Sequence, residues 1–377
     1  MPRLSFYPLG NADTCLIDLA NGRKLLFDYA DERNPDDDDD NRIDLPKALR
    51  DDLTAAKRDY YDVVAITHLD DDHTRKADEF FYLDHAAKYQ TGMRTKITEL
   101  WVPAAVITES KSGLEPGAQA LQAEARYRLK KNYGVRVFSR PVALEAWLKE
   151  NGMSLESRRH LITDAGNVIP GFTLQSDGAE FFGHSPFGSR QDECTVIDRN
   201  RDSLVVQLTL RVDGVDTKAI LGSDVDNEAL SAIVQTTRYH KRDARLEWDI
   251  FKLPHHCSYK TLSFDRGRDE TKPVKDVAWL FEDQMQRGGI IVSTSKPIPV
   301  QGTEEDKSDQ PPHRQAATYY RRIIKDKDGQ FIVTMEHPRQ SAPQPFVIEV
   351  DRFKASVKRE QSVGASALTS VSAPRAG

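Results

Sequence analysis

The chain has 377 residues, with 53 Lys plus Arg against 59 Asp plus Glu and a formal net charge of −6. That balance argues against binding nucleic acid through overall basicity, although it leaves room for a local basic groove. At 38% hydrophobic and 30% charged residues, the mixture supports a sizeable core and does not read as disordered.

The three cysteines, Cys15, Cys194 and Cys257, exclude a disulfide framework and a four-cysteine zinc knuckle. No apolar run approaches the roughly 18–20 residues of a membrane helix. The first residues also lack a secretory pattern, so a soluble cytoplasmic protein is expected.

In chain order, 15–19 and 24–27 are strand-like and meet at Asn21-Gly22, a hairpin signal because both residues tolerate positive φ. Residues 31–41, with aspartates from Asp36 to Asp40, read as a solvated loop. The apolar run 62–67 predicts a buried strand, and 74–89 a helix. A strand follows within 97–107, ending near Trp101-Val102-Pro103, then helices over 117–131 and 142–149. In the second half, 203–210 and 218–221 flank Asp213-Gly214 as a further hairpin, and 227–235 reads as a helix. Strands are expected at 249–253, 289–293, 331–335 and 346–350, with a helix at 315–325. Alternating hairpins and helices without a long linker predict one α/β layered domain over 1–354. The Ser/Ala/Gly-rich stretch 355–377 is expected to be a disordered tail.

Potential ligands cluster just after strand ends. His68-Leu69-Asp70-Asp71-Asp72-His73 places four of them, His68, Asp70, Asp72 and His73, within six residues, with Asp71 pointing away. A dipole-favoured helix start explains the aspartates but not the two histidines. Gly222-Ser223-Asp224 closes another strand, and Asp224 is either a ligand bridging two cations or a helix cap. Pro254-His255-His256-Cys257-Ser258 follows the strand at 249–253, where one histidine suits a ligand and the other an orienting or proton-transfer role.

These motifs, in this order, resemble the metallo-β-lactamase superfamily, and more closely the hydrolase domain of ComEC-type DNA-uptake proteins and their stand-alone relatives. The resemblance rests on HLDDDH in the place of HxDxDH, on Asn200-Arg201-Asp202-Ser203-Leu204-Val205, on Gly222-Ser223-Asp224, and on His255-His256-Cys257-Ser258 in the place of HHGS. Gly10-Asn11-Ala12-Asp13 and Phe27-Asp28-Tyr29 match its opening motifs, and coverage runs from about residue 4 to about 350. Departures are Tyr29-Ala30 in place of a glycine after Asp28, the serine inside the G-D motif, and Cys257 in place of the HHGS glycine.

The resemblance implies a four-layer αββα sandwich and two divalent ions, Zn or Mn. His68, Asp70 and His184 (within Gly183-His184-Ser185) would hold one ion. Asp72, His73 and one of the paired histidines would hold the other, with Asp224 bridging and Asp28 a structural neighbour. His255, nearest the strand end, is the expected ligand. Asp72, His256 and His313 are the expected catalytic groups, and Lys252, Ser258, Lys260 and Lys296 the expected substrate contacts. Activity would come from a metal-bound hydroxide attacking phosphorus or a carbonyl carbon. The Asp-rich donor set favours a nuclease or phosphodiesterase acting on DNA or RNA, and analogy with the resembled family places it in a bacterial DNA-processing or defence system of several proteins. The alternatives are a hydrolase of a lactone, thioester or amide, and a non-catalytic scaffold.

Overall fold

A computed structural model describes residues 1–110, 113–193 and 197–357. Fifteen strands among these form two sheets. The first half supplies β1 (Arg3–Phe6), β2 (Cys15–Asp18), β3 (Lys24–Phe27), β4 (Tyr60–Ala65), β5 (Lys96–Pro103), β6 (Val135–Phe138) and β7 (Ile162–Thr163). The second supplies β8 (Ala179–Ser185), β9 (Val205–Val212), β10 (Val215–Leu221), β11 (Trp248–Lys252), β12 (Met285–Ser293) and β13 (Gln330–Val333). Finally β14 (Phe346–Asp351) and β15 (Lys354–Val357) return to the first sheet. The sheet orders are β15-β14-β1-β2-β3-β4-β5-β6-β7 and β13-β12-β11-β10-β9-β8.

The expected αββα sandwich is what the packing produces. Along β4, Val63 and Ala65 face the second sheet, whereas Val64 between them faces outward, as the two-residue period of a strand requires. Between the sheets, Phe27, Trp101 and Phe181 meet Leu208, Leu221, Ile250 and Val292. Outside the first sheet lie helices Leu45–Ala55, Pro116–Lys131 and Val142–Glu150. Outside the second lie Asn227–Tyr239, Lys275–Glu282 and Arg314–Asp326. Among the described residues no helix is long and apolar enough to cross a membrane.

Each sheet starts with antiparallel hairpins and continues in parallel: β3, β4, β5 and β6 in one, β10, β11, β12 and β13 in the other. Parallel strands put their carboxyl ends on one edge, so the loops after β3, β4, β10, β11 and β12 come together there.

The helix expected over 74–89 does not form. Two four-residue helices, Asp71–Thr74 and Ala77–Phe80, flank Arg75, which is not helical, and Lys76 at φ 59°. The first of these turns is pressed against helix Pro116–Lys131, where a Cβ at Gly117 would stand 2.0 Å from the Thr74 carbonyl oxygen. Strand β5 stops at Pro103, where the sequence placed its end, and helix Ala104–Thr108 follows. At the other end of the chain, β15 runs to Val357, and the rest of the expected tail, 358–377, lies outside the described residues.

Candidate metal centre

Strand β3 ends at Asp28, whose backbone takes φ 56°, a conformation aspartate tolerates better than most residues. The Thr67 amide donates to Asp28 Oδ1 (2.7 Å) and its hydroxyl to Oδ2 (2.8 Å). Asp28 Oδ2 also lies 2.8 Å from His73 Nδ1. A carboxylate only accepts, so His73 carries its proton on Nδ1 and turns Nε2 the other way.

Proton bookkeeping fixes His68 similarly. The Thr67 hydroxyl proton goes to Asp28, and Ser223 Oγ donates to Thr67 Oγ1 (2.8 Å). Both hydroxyls lie 3.2 Å from His68 Nδ1 and have no proton left, so that nitrogen donates. His68 Nε2 then holds a bare lone pair, fully buried and without a hydrogen-bond partner. His256 follows the same rule: Nδ1 donates to the Thr294 carbonyl (2.8 Å), leaving Nε2 3.0 Å from Asp72 Oδ2 and 3.6 Å from Asp224 Oδ2. Three imidazoles anchored through Nδ1 and presenting Nε2 form the outer-shell pattern of metal-binding histidines.

The inner edges converge. His73 Nε2 lies 3.3 Å from Asp224 Oδ1 and 4.0 Å from Asp72 Oδ1, and one donor atom from each of Asp72, His73, Asp224 and His256 falls within 4.8 Å of the others. Ligand atoms about 2.1 Å from one ion stand about 3.4 Å apart in a tetrahedron and about 3.0 Å apart at octahedral right angles. The observed spacings bracket those values, and the buried, unpartnered His73 Nε2 lacks only the ion. These residues fit a divalent cation.

The electrostatics agree. Burial alone lowers a histidine pKa, but Asp28, Asp224 and Asp72 outweigh it and hold His73 well above its usual value. At His256 burial is again outweighed, by Asp224 and by the bond to Asp72, and the pKa rises to about 9. Burial would raise Asp224, yet His256 and His73 pull it well below the carboxylate range. The carboxylates of the cluster thus favour positive charge beside them.

Backbone handedness decides between the paired histidines. His255, His256 and Cys257 take φ of 49°, 50° and 64° in succession. This left-handed turn costs about 1–2 kcal/mol per residue. Gly222, where a Cβ would meet the Lys252 carbonyl oxygen at 2.8 Å, lets the turn after β10 lie directly against it. It is the His256 ring, 3.0 Å from Asp72 and 3.6 Å from Asp224, that the turn brings to the cluster, and not the expected His255. His255 contributes its amide, which donates to Asp224 Oδ1 (3.2 Å), while burial holds its ring below the usual histidine pKa despite Asp224.

Other expected residues fall elsewhere. His184 is not brought to the cluster: its Nε2 donates to the Arg245 carbonyl (2.9 Å), and its ring borders a separate small cavity with Phe182, Phe187 and Thr237. Burial lowers its pKa to about 4. Lys252 lies on the same face of β11 as Ile250, pointing between the sheets, and its ammonium bonds Asp13 in the interior. Burial would lower its pKa, but Asp13 and Asp224 raise it, so Lys252 is a structural cation rather than a substrate contact.

Ser258 is buried and accepts the Lys260 amide (3.3 Å), whereas Lys260 and Lys296 are exposed. His313 braces the histidine turn: its amide donates to the Cys257 carbonyl (3.1 Å), and Nδ1 accepts the Tyr259 amide (3.3 Å). Burial, aided by Arg266 and His255, lowers it to about 4, so it is a neutral imidazole with a buried Nε2–H. Asp71 points away as expected, bonded to Arg75.

Two further residues beside the cluster carry no role in the sequence reading. Asp13 lies 3.8 Å from His73 Nε2 and 3.9 Å from His256 Nδ1, and it accepts from Lys252 and Thr294. Its motif was noticed, but nothing pointed to a role. Arg199 donates to Asp70 Oδ1 (2.7 Å), whose Oδ2 lies 3.5 Å from His68 Nε2. Arg199 stands immediately before a recognised motif, and its other partner is 90 residues away.

No protein-family model matches the sequence, and no curated protein matches it. Among solved structures the chain is similar to a diphosphatase of the PhnP family, at 11% identity over 92% of this chain and 87% of that one, with a TM-score of 0.31. It is also similar to unliganded yeast PDE1, at 9% identity over 88% of this chain and 98% of that one, with a TM-score of 0.43.

Proposed function

We propose that the protein is a divalent-metal-dependent hydrolase of phosphate esters, with a nucleic-acid phosphodiester as its substrate. One observation carries the reading: Asp72, His73, Asp224 and His256 present four donor atoms to one point, with the histidines already oriented from behind. Two carboxylates with two imidazoles make a donor set suited to Zn²⁺ or Mn²⁺. When bound there, such a cation polarises a phosphoryl oxygen and acidifies water.

The chain's own residues do the rest. Asp28 and the Thr294 carbonyl hold the two imidazoles in the tautomer that leaves Nε2 free. His255, half-buried beside Asp224 and largely neutral at pH 7, is placed to accept or deliver a proton at the edge of the site. Lys260 and Lys296, exposed beside the site loops, supply positive charge for an anionic substrate. The ComEC-type resemblance supports the nucleic-acid substrate and a role beside other proteins of a DNA-processing or defence system.

A second reading, hydrolysis of a lactone, thioester or amide, is favoured by the withdrawal of Lys252 from the site and the engagement of Arg199 with two carboxylates. Both are tested by supplying Mn²⁺- or Zn²⁺-loaded protein with single-stranded DNA, bis(p-nitrophenyl) phosphate and a p-nitrophenyl ester. Cleavage of the phosphodiesters, absent in Asp72→Ala, is expected. Turnover of the carboxylic ester alone contradicts the first reading.

A further inference from the structure

Arg199 stands between two carboxylates of unequal freedom. Glu109, just after helix Ala104–Thr108, is 2% exposed and is gripped through both oxygens: Arg199 Nε lies 3.0 and 3.1 Å from them, and Nη2 2.8 Å from Oε1. A forked guanidinium on a buried carboxylate is held firmly, because separating them strands a buried charge. From that anchor Nη1 reaches Asp70 Oδ1 at 2.7 Å.

The two candidate cation positions therefore differ. At one, Asp72, His73, Asp224 and His256 converge. At the other, His68 Nε2 offers a bare lone pair, Asp70 is already shared with Arg199, and His184 is committed to the Arg245 carbonyl. A cation entering beside His68 meets half a ligand set and a fixed positive charge on its carboxylate.

We propose that Arg199 sets the metal stoichiometry: one cation binds tightly, and a second is admitted at His68 and Asp70 only weakly, because Arg199 holds Asp70. The inference rests on the metal-centre reading above and deepens it. Arg199 acts through Asp70 and is a positioning residue.

The test is a stepwise Mn²⁺ titration of the full chain, followed by calorimetry and by Mn(II) electron paramagnetic resonance. Wild type is expected to show one tight equivalent and a second at least tenfold weaker. Because Arg199→Met alone leaves Glu109 buried and unpaired, the informative variant is Glu109→Gln combined with Arg199→Met, which removes both charges together. In it the second step tightens at least tenfold and the signal of a coupled Mn pair appears. Arg199→Lys, which keeps a cation for Glu109 but lacks the fork to reach Asp70, tightens the second step to a lesser degree. Asp70→Asn keeps the tight step and loses the weak one. Two equal equivalents in wild type, or a second step indifferent to Arg199, overturns this inference alone. No Mn²⁺ bound by any of these chains overturns the metal-centre reading as well.

Discussion

In the first sheet β3 ends at Asp28 and its parallel neighbour β4 runs on to His68 and His73; in the second, β10 ends at Asp224 and β11 runs on to His255 and His256. Both halves thus set a strand-end carboxylate beside a strand-end histidine. They use the carboxylate differently. Asp28 accepts from Thr67 and His73 and orients an imidazole from behind, whereas Asp224 faces His73 and His256 and is itself one of the converging donors. The local turn makes the difference. Asp28 follows its strand directly, while Gly222 and Ser223 carry Asp224 two residues further, over the carbonyl of Lys252. The same architecture yields a support on one side and a donor on the other.

The largest effect is expected from breaking the donor. Asp224→Ala removes a ligand common to both imidazoles, so bound cation should fall below detection by elemental analysis. Next comes the pair beneath the site. Lys252→Met leaves Asp13 buried and uncompensated and should lower unfolding free energy by about 3–5 kcal/mol in urea. Adding Asp13→Asn should restore much of that loss; no loss in the single variant would return Lys252 to the substrate side.

Breaking the support should cost less. Asp28→Asn retains the shape but loses the acceptor that fixes the His73 tautomer, and cation affinity should drop about 10–100-fold. An effect as large as that of Asp224→Ala would erase the distinction between the halves.

The smallest effect concerns His184, outside both. Its native pKa is about 4, against about 6.5 when unfolded. The unfolded chain binds the extra proton first, so this residue destabilises the fold as pH falls below about 6.5, completely by about 4. Urea unfolding at pH 7.5 and pH 5 should show His184→Gln losing about 2 kcal/mol less than wild type over that interval. Equal losses would mean that the ring is not held neutral.

Much of the layering was legible because strand and helix periods survive in the sequence: both Asn21-Gly22 and Asp213-Gly214 hairpins form, and the runs ending at Asp28, His68, Asp224 and His256 are strands whose ends meet. Other features depend on tertiary context. Strands β1, β6 and β8 are short or irregular in pattern and gain their place from neighbours. The break at Lys76 follows from packing against Gly117, some 40 residues away.

At the site, residue types and their order pointed to His68, Asp72, His73 and Asp224, of which the last three converge in the fold. Three consecutive left-handed residues then chose His256 over His255, and composition does not encode that rotation. Lys252 reads as available in the sequence because a lysine at a strand end is usually solvated, whereas here it shares the inter-sheet face of β11 with Ile250. Arg199 was invisible because Glu109 and Asp70 are joined to it only by the fold.

In the proposed centre His256, with Asp72, His73 and Asp224, holds the cation while His255 does not. The direct measurement is metal content by elemental analysis after loading with Zn²⁺ or Mn²⁺, in wild type beside His256→Ala and His255→Ala. At least one equivalent is expected in wild type and in His255→Ala, and loss in His256→Ala. Metal lost from His255→Ala but kept by His256→Ala, or no metal in wild type, would contradict it.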